Sequence, residues 1–127
     1  MPDRGKSSLR LVHPASETVL AERLERPRTF VGRGLGLMFR RSLPAGTAMW
    51  IVPCSGIHTF FMRFPIDVVF LDRRQRVVRV YPSLRRRRLV PLVLGAHSVV
   101  ELGAGTLGRL ALSKGDQLAI ESVPVEV

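Results

Sequence analysis

The side chains of this 127-residue chain that could do chemistry gather in one stretch, "CSGIHTFFMRFPIDVVFLD", residues 54–72. It holds the single cysteine, Cys54, followed by His58, Thr59, Arg63 and Asp67, set among aromatic and branched apolar residues. A thiol four positions from an imidazole suggests a reactive thiolate or two ligands of a soft metal. In an extended chain that spacing is about 13 Å, too far for both to reach one zinc unless Ser55 and Gly56 turn the backbone. Two more ligands would still be needed, and the other histidines, His13 and His97, are distant in sequence. No metal and no cofactor is expected, and an inert, buried thiol at a strand entrance is the simpler reading of Cys54.

Asp67 is harder to explain away. In a strand, side chains alternate between faces, so His58, Phe60, Met62, Phe64, Ile66, Val68 and Phe70 share one side. Thr59, Phe61, Arg63, Asp67, Val69 and Leu71 take the other, with Pro65 the one point at which a bulge could break the alternation. Arg63 and Asp67 would then lie about 13 Å apart, too far to pair in a straight strand. A lone ionised carboxylate among apolar neighbours is expensive, so Asp67 needs a partner. Either it accepts backbone N–H groups or an arginine and fixes the register of a sheet, or it lines a cleft with Arg63, Thr59 and His58. In the cleft it would bind a small polar ligand or act as a general base with a raised pKa. His58 divides the same way, between a hydrogen-bonded residue at a strand start and an acid/base.

Three motifs fail on context. "GAGTLG", 103–108, has the glycine spacing of a dinucleotide site, but that site needs a full helix, a second parallel strand and an acidic residue about twenty positions on. Only 19 residues follow Gly108, and "KGD" breaks them into a turn, so the glycines read as turn and close-packing positions. "GRGLG", 32–36, lacks the lysine-serine ending of a phosphate loop. Ser55 lacks the flanking glycines of a hydrolase nucleophile elbow.

The elements that must position these residues follow from periodicity and breakers. "LRLVH", 9–13, alternates as a first strand, and "ETVLAERLE" could pair with it or form a short helix. Residues 27–42, punctuated by Pro27 and three glycines, would cover a sheet with Phe30, Leu35, Leu37 and Met38. "LPAG", 43–46, is a turn, and "TAMWIVP" a strand ended by Pro53. Residues 57–72 follow as a central strand. "DRRQR" is a charged turn leading to the returning strand "VVRVYP", Arg85, Arg86, Arg87 and Arg88 occupy a loop between Pro82 and Pro91, and "AHSVVEL" is a further strand. "GAGTLGRLAL" has room for a turn or so of helix, and "SKGDQLAIESVPVEV" for a turn and a closing strand.

The expected fold is β-rich α+β: a single compact domain, 11–127, behind a flexible segment 1–10. Its mostly antiparallel sheet would be curled or small and barrel-like, with one or two short helices. Length suits one domain with a real core, and 46% apolar against 24% charged residues suits a globular chain. No apolar run approaches the roughly 18–20 residues of a membrane span, and the first twenty residues lack the apolar core of a signal peptide, so a cytoplasmic location is expected.

Net charge is +10, and 18 of the 20 basic residues are Arg. Residues 31–90 alone carry twelve basic and two acidic groups, an excess equal to that of the whole chain. Such a patch could meet nucleic acid, anionic lipid or an acidic partner. RNA readers usually add stacking aromatics on a polar face, whereas Phe60, Phe61, Phe64 and Phe70 stand in an apolar stretch and read as core.

The series "GLMFRRSLPAG" (36–46), "MWI" (49–51), "HTFFMRFPIDVVFLD" (58–72), "VVRV" (77–80), "VVELGAG" (99–105) and "KGDQL" (114–118) resembles the DUF192 family, also called UPF0127. The resemblance covers roughly residues 19–122. It implies a small β-rich domain with short helices, found as a stand-alone bacterial or archaeal protein, and it implies no reaction; a bacterial source is expected for this chain. Function must come from the residues. The leading expectation is a non-enzymatic module that binds a small polar or anionic ligand, or an acidic partner, at a cleft beside 57–72 formed by His58, Thr59, Arg63 and Asp67. One alternative is a small hydrolase-like or thiol-dependent enzyme using His58, Asp67 and Cys54, and another is nucleic-acid or anion contact through Arg85–Arg88.

Overall fold

The structure, a computed structural model, describes residues 7–26, 43–58, 64–85 and 88–124. The strands are β1 (Ser7–His13), β2 (Thr18–Glu25), β3 (Thr47–Ile51), β4 (Ile57–His58), β5 (Ile66–Leu71), β6 (Val77–Leu84), β7 (Leu89–Val90), β8 (Ser98–Gly103) and β9 (Ala119–Pro124). Seven of them form one sheet in the order β6-β5-β8-β3-β2-β1-β9, and β4 and β7 form a separate two-stranded ribbon. Neighbours in the large sheet run antiparallel except β2 and β3, which are parallel, so the sheet is mixed. It curls but does not close. Near the start of β6, Val77 N–H donates to Asp116 O at 2.8 Å and Leu118 N–H to Gln75 O at 3.0 Å, which brings the segment before β9 against that edge.

Several expectations are corrected here. Among the described residues the only helical elements are two 3₁₀ turns, Pro14–Ser16 and Thr106–Arg109, so those residues are β-rich and show no helices of the kind an α+β domain carries. Of the two readings left open for "ETVLAERLE", the structure has the strand: Thr18–Glu25 is β2, paired with β1. Residues 7–10, assigned above to the flexible N-terminal segment, are paired with 121–124 of β9. Residues 57–72 are not one strand. The backbone at Ile57 and His58 pairs with Val90 and Leu89 in the ribbon, while Ile66–Leu71 lies in the large sheet between β6 and β8. The expected cover of the sheet by residues 27–42 lies outside the described residues.

Burial explains why β5 and β8 hold the centre. Every residue of β5 is buried, as are the first five of β8, because both of their faces are covered. A strand covered on both faces reads as a near-continuous apolar run, which is what "IDVVFL" and "SVVEL" are. On one face Val69, Leu71, Val100 and Leu102 pack with Leu11, Leu20, Ala21, Leu24, Ala48, Leu107 and Leu118. On the other, Ile66, Val68, Phe70 and Val99 pack with Met49, Ile51, Val90 and Val93. The β4-β7 ribbon and the loop after it therefore cover the second face, and Phe70 meets Tyr81 of β6 edge-on there, with ring centroids 6.1 Å apart.

Candidate functional site

Asp67 is 1% exposed on the first face, and its carboxylate meets the backbone. Oδ1 accepts the Ser83 N–H at 2.7 Å and Oδ2 the Leu107 N–H at 2.8 Å. The first partner has a local cause. Along β5 the register steps from Ile66 to Val68 while β6 steps from Leu84 to Tyr81, so β6 carries one extra residue, a bulge around Pro82 and Ser83. Proline donates nothing to a ladder and is tolerated on an edge strand such as β6, and Ser83 takes a left-handed φ of 49°. Asp67 receives the amide that this bulge removes from the ladder. The second partner anchors the Thr106–Arg109 turn, where Gly105 (φ +93°) starts the 3₁₀ bend and the Thr106 hydroxyl donates to Gly103 O at 2.7 Å. With both oxygens engaged and almost no exposed surface, Asp67 has the geometry of a clamp joining β5, β6 and the turn.

Of the residues expected beside Asp67, Thr59 and Arg63 lie outside the described residues, as do Arg86 and Arg87. His58 is placed by its backbone in β4, opposite Leu89. Arg85 and Arg88 are exposed in the connection from β6 to β7. Asp67 itself is packed, with both oxygens taken by backbone, and the other sides of the expected cleft lie outside the described residues.

The second face holds the groups that remain uncommitted. Cys54 is half-buried and its Sγ–H donates to Gly56 O at 3.0 Å. Its N–H donates to His97 O at 2.8 Å, so the histidine that sequence distance separated from Cys54 is its backbone neighbour. Gly56 permits this arrangement: a Cβ there would stand 2.4 Å from Pro91 O and 2.6 Å from Val90 O. Val93 N–H donates to Ser55 O at 2.7 Å, which seats the loop after β7 on the segment before β4. Between them lies an open depression of about 600 Å³ bordered by Cys54, Ser55, Gly56, Val90, Pro91 and His97. Among the described residues neither the Ser55 hydroxyl nor the His97 imidazole has a hydrogen-bond partner.

Glu101 is the residue that sequence reasoning missed. It lies in β8 opposite Met49 of β3 and Val68 of β5, on the second face, and is 7% exposed. No described residue bonds to its carboxylate, and burial pushes its pKa from 4.5 up to about 7. Burial likewise raises the Cys54 thiol, with the neighbouring Glu101 charge adding to the effect. A raised thiol pKa leaves little thiolate at neutral pH, the opposite of an activated nucleophile. The signal for Glu101 was in the chain: "SVVEL" places a carboxylate inside an apolar run, just as "FPIDVVF" does. Two further buried groups lack partners among the described residues, Trp50 Nε1 and Ser98 Oγ, both on the first face by alternation. Among the described residues no group of three or more His, Cys, Asp or Glu is placed to hold a metal, and no helix is long and apolar enough to cross a membrane.

Two solved structures share this fold. A protein of unknown function from Novosphingobium aromaticivorans superposes with a TM-score of 0.73 at 22% identity, over 88% of this chain and 83% of its own. A protein of Sinorhizobium meliloti described as a proposed transcription regulator gives 0.74 at 23% identity, over 89% and 92%. At such identities the likeness concerns the fold alone. A UPF0127 protein of Pyrococcus horikoshii is 44% identical over 95 residues, 71% of this chain and 80% of its own length. One from Pyrococcus furiosus is 34% identical over 94 residues, 70% and 78%. These curated relatives are archaeal, so the expectation of a bacterial protein is not borne out. The family model described as "Uncharacterized ACR" matches residues 12–120, and the chain belongs to the DUF192 family, whose members carry the UPF0127 name.

Proposed function

We propose that this protein is a non-enzymatic module that binds a small polar ligand in the depression beside β4 and β7. The observation that carries the reading is the pair of polar side chains, Ser55 and His97, that have no hydrogen-bond partner among the described residues and border an open depression with apolar walls at Val90 and Pro91. Small-molecule sites combine mostly apolar walls with a few placed polar groups. Asp67 leaves the ligand set, since both its oxygens serve the backbone. The raised thiol pKa of Cys54 weighs against a thiol-dependent enzyme. A cytoplasmic location suits such a module.

The test is a thermal-shift screen of small carboxylates, phosphates and polyols against the wild type, Ser55→Ala and His97→Ala. A ligand at a hundred times its Kd stabilises by about 2.7 kcal/mol, a rise of roughly 10 °C for a domain of this size. A compound that raises the wild-type Tm and loses most of that effect in both variants supports the reading. If every active compound shifts the variants as much as the wild type, the depression is not the site.

A further inference from the structure

Four large apolar side chains are exposed among the described residues, and three of them fall within six positions: Leu89 at 60%, Leu92 at 63% and Leu94 at 82%. Single exposed leucines are ordinary, but a group in one short loop is not. The loop is not loose. Val90 and Val93 are buried in the core of the second face, Val93 N–H is bonded to Ser55 O, and the Val90 and Pro91 carbonyls press on Gly56. Alternation about these two anchors turns Leu89 away from the core and sets Leu92 and Leu94 outward on either side of Val93. The chain leading into the loop is "RRRR", with Arg85 and Arg88 exposed. Exposed cationic and exposed aliphatic residues therefore follow one another within residues 85–94, and the aliphatic part sits on a seated loop.

Both features have to be matched by one partner. Nucleic acid would use the cations but has no use for leucines, and its single-stranded forms favour exposed aromatics. None of the large apolar side chains exposed among the described residues is aromatic. An anionic bilayer uses both groups, taking leucines into the boundary between headgroups and acyl chains while arginines meet phosphate and carboxylate. We propose that the surface carrying Arg85, Arg88, Leu89, Leu92 and Leu94 docks the protein peripherally on an anionic lipid surface. The depression of the preceding section opens beside it, bordered in part by Leu89 and Pro91, so docking would bring that site to the membrane.

The experiment is co-sedimentation of the intact protein with vesicles of phosphatidylcholine alone and of an equimolar mixture of phosphatidylcholine and phosphatidylglycerol. The mixed vesicles are expected to retain the wild type and the neutral ones to release it. Arg85→Ala/Arg88→Ala should lower partitioning roughly 25-fold, at about fivefold per arginine. Leu92→Ser/Leu94→Ser should lower it by roughly tenfold as well, with no change in Tm, because both side chains are already in solvent. Partitioning of the leucine variant equal to wild type would overturn the proposal, since only adsorption of a basic protein would remain. So would a leucine variant whose sole difference is loss of a dimer in sedimentation without vesicles, which would assign the patch to a second copy of the chain. RNA binding that survives the leucine substitutions, with no partition into mixed vesicles, would give the surface to nucleic acid.

Discussion

Replacing Asp67 by Asn tests the clamp at the centre of this fold, and its cost can be worked from the geometry. The carboxylate accepts Ser83 N–H at 2.7 Å and Leu107 N–H at 2.8 Å from a position 1% exposed. An amide offers one acceptor and one donor, so in either orientation one backbone N–H faces another donor. Leu107 is buried and Ser83 is exposed, so the amide should turn its oxygen to Leu107 and leave Ser83 to water. One charge-assisted bond is then lost, worth about 1.5–3 kcal/mol, and the other is weakened to a neutral one, costing about 1 kcal/mol more. Relief of carboxylate desolvation returns part of this. The expected net loss is about 2–3 kcal/mol for Asp67→Asn and about 3–5 kcal/mol for Asp67→Ala, which also orphans the Leu107 amide. In urea the midpoint should fall by about 1–2 M at unchanged slope. Native-state hydrogen exchange should show Leu107 and Ser83 opening faster than their neighbours. A variant within about 0.5 kcal/mol of wild type would refute the reasoning, and one more stable than wild type would mean that Asp67 is held for a ligand at a cost to stability.

Two further outcomes follow from the second face. Glu101, raised to about 7 by burial, holds a proton in the native state that the unfolded chain has lost between about pH 4.5 and 7. Its contribution is fully present below about pH 4.5 and is lost as pH rises through 7, a loss of about 3 kcal/mol in order of magnitude. Glu101→Gln should therefore match the wild type near pH 4 and exceed it at about pH 8, as urea unfolding at both values will show. Equal stabilities at the higher pH would remove the buried charge from the account. Gly56→Ala puts a Cβ 2.4 Å from Pro91 O and should cost about 1–3 kcal/mol while speeding exchange of the Val93 amide. An unaltered midpoint would show that the loop after β7 can move freely off the segment before β4.

How much of this was legible in the chain depended on whether the cause was local. Strand positions β1, β3, β5, β6 and β8 follow from short apolar runs bounded by Pro, Gly and charged turns. The turn at "DRRQR" is local too, with Asp72 Oδ1 accepting the Arg74 and Arg76 amides. The division of 57–72 between two sheets was not legible, because pairing of Ile57 and His58 with 89–90 is decided by a segment thirty residues away. Nor was the parallel pairing of β2 with β3, for alternation says nothing of a neighbour's direction. For Asp67 the chain announced the need for a partner and could not name it. Its partners come from a bulge sixteen residues away and a turn forty residues away. Pro82, which reads as the end of the strand "VVRVYP", lies inside β6 and was the one local sign of that bulge.

Asp67 and Glu101 present the same sequence signal, a carboxylate inside an apolar run on a central strand, and the structure gives them opposite surroundings. Asp67 has a donor for each oxygen, both supplied by backbone that the sheet itself could not satisfy, so it adds order at little electrostatic expense. Glu101 has no donor among the described residues and sits between Met49 and Val68, so none of those residues compensates its charge. A buried carboxylate without partners is a destabilising choice for a strand that Leu or Val would suit. That cost falls on the face that also carries Cys54, the Ser55–His97 depression and the loop of exposed leucines. Proteins often give up stability at binding sites, so the proposed ligand site and this buried charge fall on the same face, while the first face is clamped by Asp67. The search for a ligand belongs on the second face, and the pH dependence assigned to Glu101 separates it from a merely structural defect. A ligand bound there should shift the apparent pKa of Glu101, whereas one bound at Asp67 should leave it unchanged.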